Sequence, residues 1–221
     1  MPLQTADWAA PGRDPLTFLG RWAEIVSASL NAQFAEAGGR FVAEPTCGPR
    51  AGTTEAPPAA PAGSPPTLTA PARFTDRVAV TVMDTQRGGA VAAVVLFVAP
   101  DHKVDSDGAL AFAVRAAGLM SGGAGVVIVD AAPGPASWAT HLHSLTGVYP
   151  ITRRPRGPEA PVLVVHPEVR DGVEQFGVWH HAVGAGVPLP TVPVPVRGAA
   201  HLKLDLEATY SEACAPLRLP E

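Results

Sequence analysis

Five titratable side chains fall within seven residues directly after an apolar run: Asp101, His102, Lys103, Asp105 and Asp107, in the stretch "VVLFVAPDHKVDSDGALAF". Acids and a cation gathered at the end of a buried strand are a common way to build an active site. The same residues also suit a solvated loop that leads into a helix. Asp107 in particular fits a helix start, with Ser106 as a cap, because a carboxylate near a helix N-terminus meets favourable backbone dipoles.

The elements that would hold these residues can be read from local patterns. "GAVAAVVLFVAP" is apolar on both faces, which suits a central strand. "DRVAVTVMD" precedes it, and "TQRGG" supplies a turn, so the two should form an antiparallel hairpin. With the turn centred near Gly88 and Gly89, Asp76 lies opposite the Pro100–Asp101 region, and Asp84 opposite Ala93 near the turn. Asp76, Asp101 and Lys103 therefore form the candidate cluster, with Asp105 and Asp107 as additional acids. Downstream, Leu110, Phe112, Ala113, Ala116, Ala117 and Met120 are spaced as the buried face of a helix that Gly122 and Gly123 end. "GVVIVDAAP" is a continuous apolar strand. Strand, helix, strand implies a parallel crossover.

Upstream, Leu16, Leu19, Trp22, Ala23, Val26, Leu30 and Phe34 predict an amphipathic helix over Pro15 to Ala37, ended by Gly38-Gly39. "RFVAEP" is a short strand. Residues 48–72 contain little beyond proline, alanine, glycine, serine and threonine, the composition of a flexible insertion. Residues 151–221 read as a C-terminal wrap of proline-punctuated strands, at edges or as covering segments, closed by a helix in "LDLEATYSEACAPL". The whole chain, residues 1–221, is read as a single α/β domain with a mixed central sheet flanked by helices.

The words along this order resemble a bacterial family of unknown function related to restriction-endonuclease-like PD-(D/E)XK proteins. In that family an apolar strand carries a glutamate, an aliphatic pair and Ser-Pro-x-Asn-Lys, followed by a helix and an apolar strand ending in Val-Asp. The corresponding words here are "LFVAPDHK" and "ALAFAVRAAGLMSGGAGVVIVD". The opening "MPLQTADW", and the closing "VGAGVPLPTVPVPV" and "LDLEATYSEAC", are similar to the family's own. The resemblance implies a core of helix, three strands, helix and strand, and an ancestral Mg2+- or Mn2+-dependent nuclease. In such a nuclease carboxylates on adjacent strands hold the ion and a lysine offsets developing negative charge. Pro100 and Lys103 match the pattern. The glutamate falls on Leu96, the serine on Ala99 and the asparagine on His102. A leucine cannot ligate a cation, so the expected function is a pseudoenzyme: a degenerate nuclease-fold relative acting as a binding or assembly protein, with no cofactor. The alternatives are a nuclease rebuilt on Asp76 and Asp101 as metal ligands with Lys103 as the third catalytic residue, and a purely structural protein.

Other constellations point to less. His141 and His143 would share one side of a strand, and His180 adjoins His181, but no spacing announces further zinc ligands. Gly122, Gly123 and Gly125 follow a helix and precede a strand, the reverse of a dinucleotide loop. "HSLTGV" lacks a nucleophile elbow. Arg153, Arg154 and Arg156 form a small basic cluster that could touch phosphate. A formal net charge of −4 opposes non-specific attraction to nucleic acid, so a nucleic-acid or protein partner would need a local patch. Cys47 and Cys214 have no metal-type spacing and read as reduced. Without a basic region followed by an apolar run, or any run long enough to span a bilayer, the chain is expected to be cytoplasmic with no membrane partner.

Overall fold

The computed structural model describes residues 14–48, 77–104, 106–131, 134–148, 159–184 and 187–215. In chain order its elements are α1 (Pro15–Glu36), β1 (Phe41–Gly48), β2 (Arg77–Asp84), β3 (Ala90–Phe97), α2 (Asp101–Val104), α3 (Ser106–Ser121), β4 (Gly125–Val129), α4 (Ser137–Thr146), β5 (Glu159–Arg170), β6 (Val173–Gly184), β7 (Thr191–Val194), β8 (Leu202–Asp205) and α5 (Leu206–Cys214). Six strands form one sheet in the order β1-β2-β3-β4-β5-β6, and β7 and β8 form a separate ribbon. All neighbours in the large sheet are antiparallel except β3 and β4, which are parallel. The fold is therefore a mixed α/β sheet flanked by helices, and none of its described helices is long and apolar enough to cross a membrane.

The continuous apolar runs follow from burial on both faces. Side chains alternate across a strand. Val95 and Phe97 of β3, Val127 and Val129 of β4, and Val162 and Val164 of β5 face the layer made by α1, α5 and the β7–β8 ribbon. Val94 and Leu96, Val126 and Ile128, and Leu163 and Val165 face the opposite layer, made by α3 and α4. Both alternating sets are apolar, so no period-2 polarity shows in the sequence.

Helix α1 begins where Asp14 accepts the Leu16 backbone N–H at 3.0 Å and Pro15 occupies the first turn. Its stripe from Phe18 to Phe34 is buried, as its spacing predicts. On α3 the buried face is Ala109, Phe112, Ala113, Ala116 and Met120, whereas Leu110, expected inside, is exposed.

The β2–β3 hairpin forms, but in a different register from the one its glycines suggest. Asp84 caps a 3-10 turn at Thr85–Arg87 by accepting the Gln86 N–H, and Gly88 and Gly89 complete the loop with positive φ. The loop thus closes between Asp84 and Ala90, centred on Arg87 rather than on the glycine pair. A bulge at Val82/Met83 shifts the rest, so Val82, not Asp84, lies opposite Ala93, and Leu96 lies opposite Ala79.

The proline-punctuated C-terminal strands divide. β6 is an edge strand, but β5 is internal, between β4 and β6. Its Val162–Val165 segment pairs on both sides, and Pro161 and Pro167 flank that segment. After β7 the chain crosses the start of β3 and β4. The Arg197 N–H reaches Ala92 O at 3.1 Å, and its guanidinium donates to Gly122 O at 2.6 Å and Val91 O at 2.9 Å. A Cβ at Gly125 would stand 1.8 Å from Pro195 O. Gly125→Ala should therefore force backbone apart and cost about 2–4 kcal/mol, measured as a lower urea midpoint at unchanged slope. A loss below about 0.5 kcal/mol would mean that the crossing segment is free to lift.

Candidate functional site

Parallel pairing of β3 with β4 puts the carboxyl ends of both strands on the same rim, where open α/β sheets keep their ligand crevices. At this rim Val98 N–H donates to Val129 O at 3.0 Å, and Asp130 N–H donates to Pro161 O at 3.1 Å, which fixes the residue following each strand. Pro100 ends the β3 extension. The His102 N–H returns to Ala99 O at 3.0 Å and the Lys103 N–H to Pro100 O at 2.9 Å, winding the single turn α2.

This turn aims Lys103 across the rim. Its Nζ lies 2.7 Å from Asp130 Oδ1 and donates to Gly134 O at 3.0 Å. The Trp138 indole, on α4, donates to Asp130 Oδ2 at 2.9 Å. The ion pair is enclosed: the Lys103 side chain is 5% exposed and that of Asp130 0%. His102 is buried beside it. Its Nδ1 accepts the Ala99 N–H at 3.0 Å, which assigns the proton of the neutral ring to Nε2, and Nε2 lies 3.7 Å from Asp101 Oδ1. The rings of His102 and Phe112 are 4.7 Å apart, and Phe112 meets Trp138 edge-on at 5.6 Å. Polar contacts and ring packing thus tie α2 to β4, α3 and α4 in one cluster.

The sequence-predicted residues are distributed as follows. Lys103 joins a site, with Asp130 as its acid. Asp101 sits at the rim, its side chain 35% exposed and turned towards His102. Asp107 is exposed in the first turn of α3. Asp76 and Asp105 lie outside the described residues, as do Arg153, Arg154 and Arg156 and residues 49–72 of the proline-rich stretch. Leu96 is fully buried in the layer beneath α3. Asp84, at the far end of β2, is buried and paired with Arg40. Its hydrogen bond to the Arg40 guanidinium holds the carboxyl below its ordinary range.

In the sequence Asp130 is no more than the end of "GVVIVD". The available signal is a lone acid terminating an apolar strand parallel to the one that leads to Lys103. The histidine expectations also change. His141 and His143 lie on α4, not on a strand, and residues two apart on a helix face away from each other. His180 and His181 are adjacent in β6 and so take opposite faces. His166, His201 and Trp179 form a further ring cluster, with His166 and His201 centroids 4.8 Å apart. Burial, reinforced by His201, pushes the His166 imidazole below its ordinary value against an opposing pull from Glu168.

The donor set at the rim does not suit a hard divalent cation, which takes several free oxygen ligands. Both Asp130 oxygens are engaged, by a lysine and by an indole. The cation already present is the Lys103 ammonium. Among the described residues no group of three or more His, Cys, Asp or Glu side chains is arranged to hold a metal ion. Comparison of the chain with protein-family models, curated proteins and solved structures finds no match.

Proposed function

We propose that the chain is a catalytically degenerate relative of the restriction-endonuclease-like fold that acts by binding or assembly rather than by cleaving phosphodiesters. The observation that carries this reading is the closed Lys103–Asp130 pair. In a nuclease the lysine ammonium must be available to the attacking water or the scissile phosphate, and carboxylate oxygens must be available to the metal. Here the ammonium lies 2.7 Å from a carboxylate with no solvent exposure. Leu96 supports the same reading, because an apolar side chain fills the place where the resemblance puts the strand acid.

A plasmid-nicking assay with Mg2+ or Mn2+ tests it. The expected result is no cleavage above buffer by the wild type. Metal-dependent nicking that disappears in Asp101→Asn, a rim substitution that leaves the buried pair intact, would overturn the reading in favour of a nuclease rebuilt around Asp101 and Lys103.

A further inference from the structure

The large sheet ends in two different edges. β1 is eight residues long and carries Pro45, which cannot donate to a ladder. β6 is twelve residues long, Val173–Gly184, with neither proline nor lysine to protect it. The β5–β6 hairpin continues beyond the Val162–Val165 segment that β4 covers, turning at Asp171-Gly172, both with positive φ. Along this extension lie exposed apolar side chains, Val169 at 70%, Val173 at 62% and Phe176 at 39%, and at its base, opposite Val165, Val178 is also 39% exposed.

The sequence of β6 is complementary to its own reverse. The outward-pointing backbone groups of a strand recur at every second residue, so a strand pairing with its own copy about a two-fold axis can centre on a residue but not between two. Centring on Gly177 sets Glu174 opposite His180 of the second copy and Phe176 opposite Val178, each pair occurring twice. All four residues share one face of the strand. Glu174 is the only carboxylate on β6, and its basic side chains are His180 and His181. Moving the centre to Phe176 places Glu174 against Val178, and moving it to Val178 places Phe176 against His180. Only the Gly177 centre sets the carboxylate opposite an imidazole and apolar opposite apolar. Val169 lies beside Glu174 on β5 and extends the apolar strip.

We propose that β6 is a self-association edge, and that two copies of this chain pair through it antiparallel about a two-fold axis at Gly177, joining their sheets into one. This inference is independent of the state of the Lys103–Asp130 cluster.

Sedimentation of the full chain over roughly 1–100 µM tests it, because a dimer held by one strand edge dissociates on dilution. The expected species is a dimer at the upper end. Glu174→Lys, which sets a cation opposite His180 in both pairs, should raise the dissociation constant about tenfold. Combining Glu174→Lys with His180→Glu should restore it, a recovery that general misfolding would not give. A Cβ at Gly177 meets only ordinary contacts, the nearest Trp179 at 3.6 Å. Gly177→Cys should therefore cross-link under mild oxidation above the wild-type background, since residues facing each other across a two-fold lie within disulfide reach, whereas Val178→Cys should not. A chain that stays monomeric throughout, a dimer indifferent to Glu174→Lys, or a Gly177→Cys variant that does not cross-link would overturn the proposal.

Discussion

Replacing Asp130 by leucine is expected to destabilise the protein by about 3–5 kcal/mol, because it strands a buried ammonium without its counter-charge. Asp130 also receives the Trp138 indole, so the substitution orphans a second donor. Lys103→Met should cost a similar amount by leaving the carboxylate alone. The two losses should not add. Removing both charges, as Lys103→Met with Asp130→Leu, eliminates the desolvation that each single variant exposes and should recover much of the stability. Urea unfolding of the four species yields the coupling energy directly. A coupling below about 0.5 kcal/mol would mean that water reaches the pair and screens it, as at exposed ion pairs. The consequence for function is that a group so strongly needed by the fold is poorly available to a substrate.

Leu96→Glu is expected to be the next most damaging change, costing about 4 kcal/mol at neutral pH. Leu96 is fully buried between Val94 and Val98 on the α3 side of the sheet. A carboxyl placed there is desolvated, and burial can raise such a group by about 3–5 pH units, each worth about 1.4 kcal/mol. The pH dependence follows from the raised value. Between the unfolded carboxyl's pKa, near about 4.3, and the elevated folded one, the native state binds more protons than the unfolded state, so stability falls as pH rises. Below about pH 4 both states are protonated, and the deficit should shrink to the packing and polar-burial cost. Thermal melts of variant and wild type from about pH 4 to about pH 8 should diverge in that direction. If Mg2+ raised the melting temperature of the wild type as well as that of Leu96→Glu, the native rim would bind a metal ion and the degenerate reading would have to be abandoned; a rise in Leu96→Glu alone would mark the leucine as the lost ligand position.

These two residues also mark the limit of local reading. Helix α1, its glycine stop, the β2–β3 hairpin and the β3–α3–β4 passage are all legible, because apolar spacing and the glycine pairs act over a few residues. The hairpin's existence is readable but its register is not: a 3-10 turn capped by Asp84 and one bulge move the pairing by two to three residues, enough to re-aim every prediction of which acid faces which. Helix α4 is hidden in "SWATHLHSLT", since only Trp138, Ala139 and Leu142 are buried and the two histidines imitate strand alternation. The internal place of β5 is hidden too, since its prolines lie just outside the doubly paired segment.

What the sequence by itself determined is helix α1, the β2–β3 hairpin and the β3–α3–β4 passage, the apolar character of the central strands, and the prominence of Lys103 at a strand end. Only the tertiary structure decided what Lys103 does. Its partner acid follows a different strand, and the two meet because parallel pairing brings both carboxyl ends to one rim, while the indole of α4 closes over them. Hydrophobic periodicity reports which face of an element is buried, but carries no signal for which polar groups long-range pairing will enclose together. Here that enclosure turned a charged run into a buried ion pair.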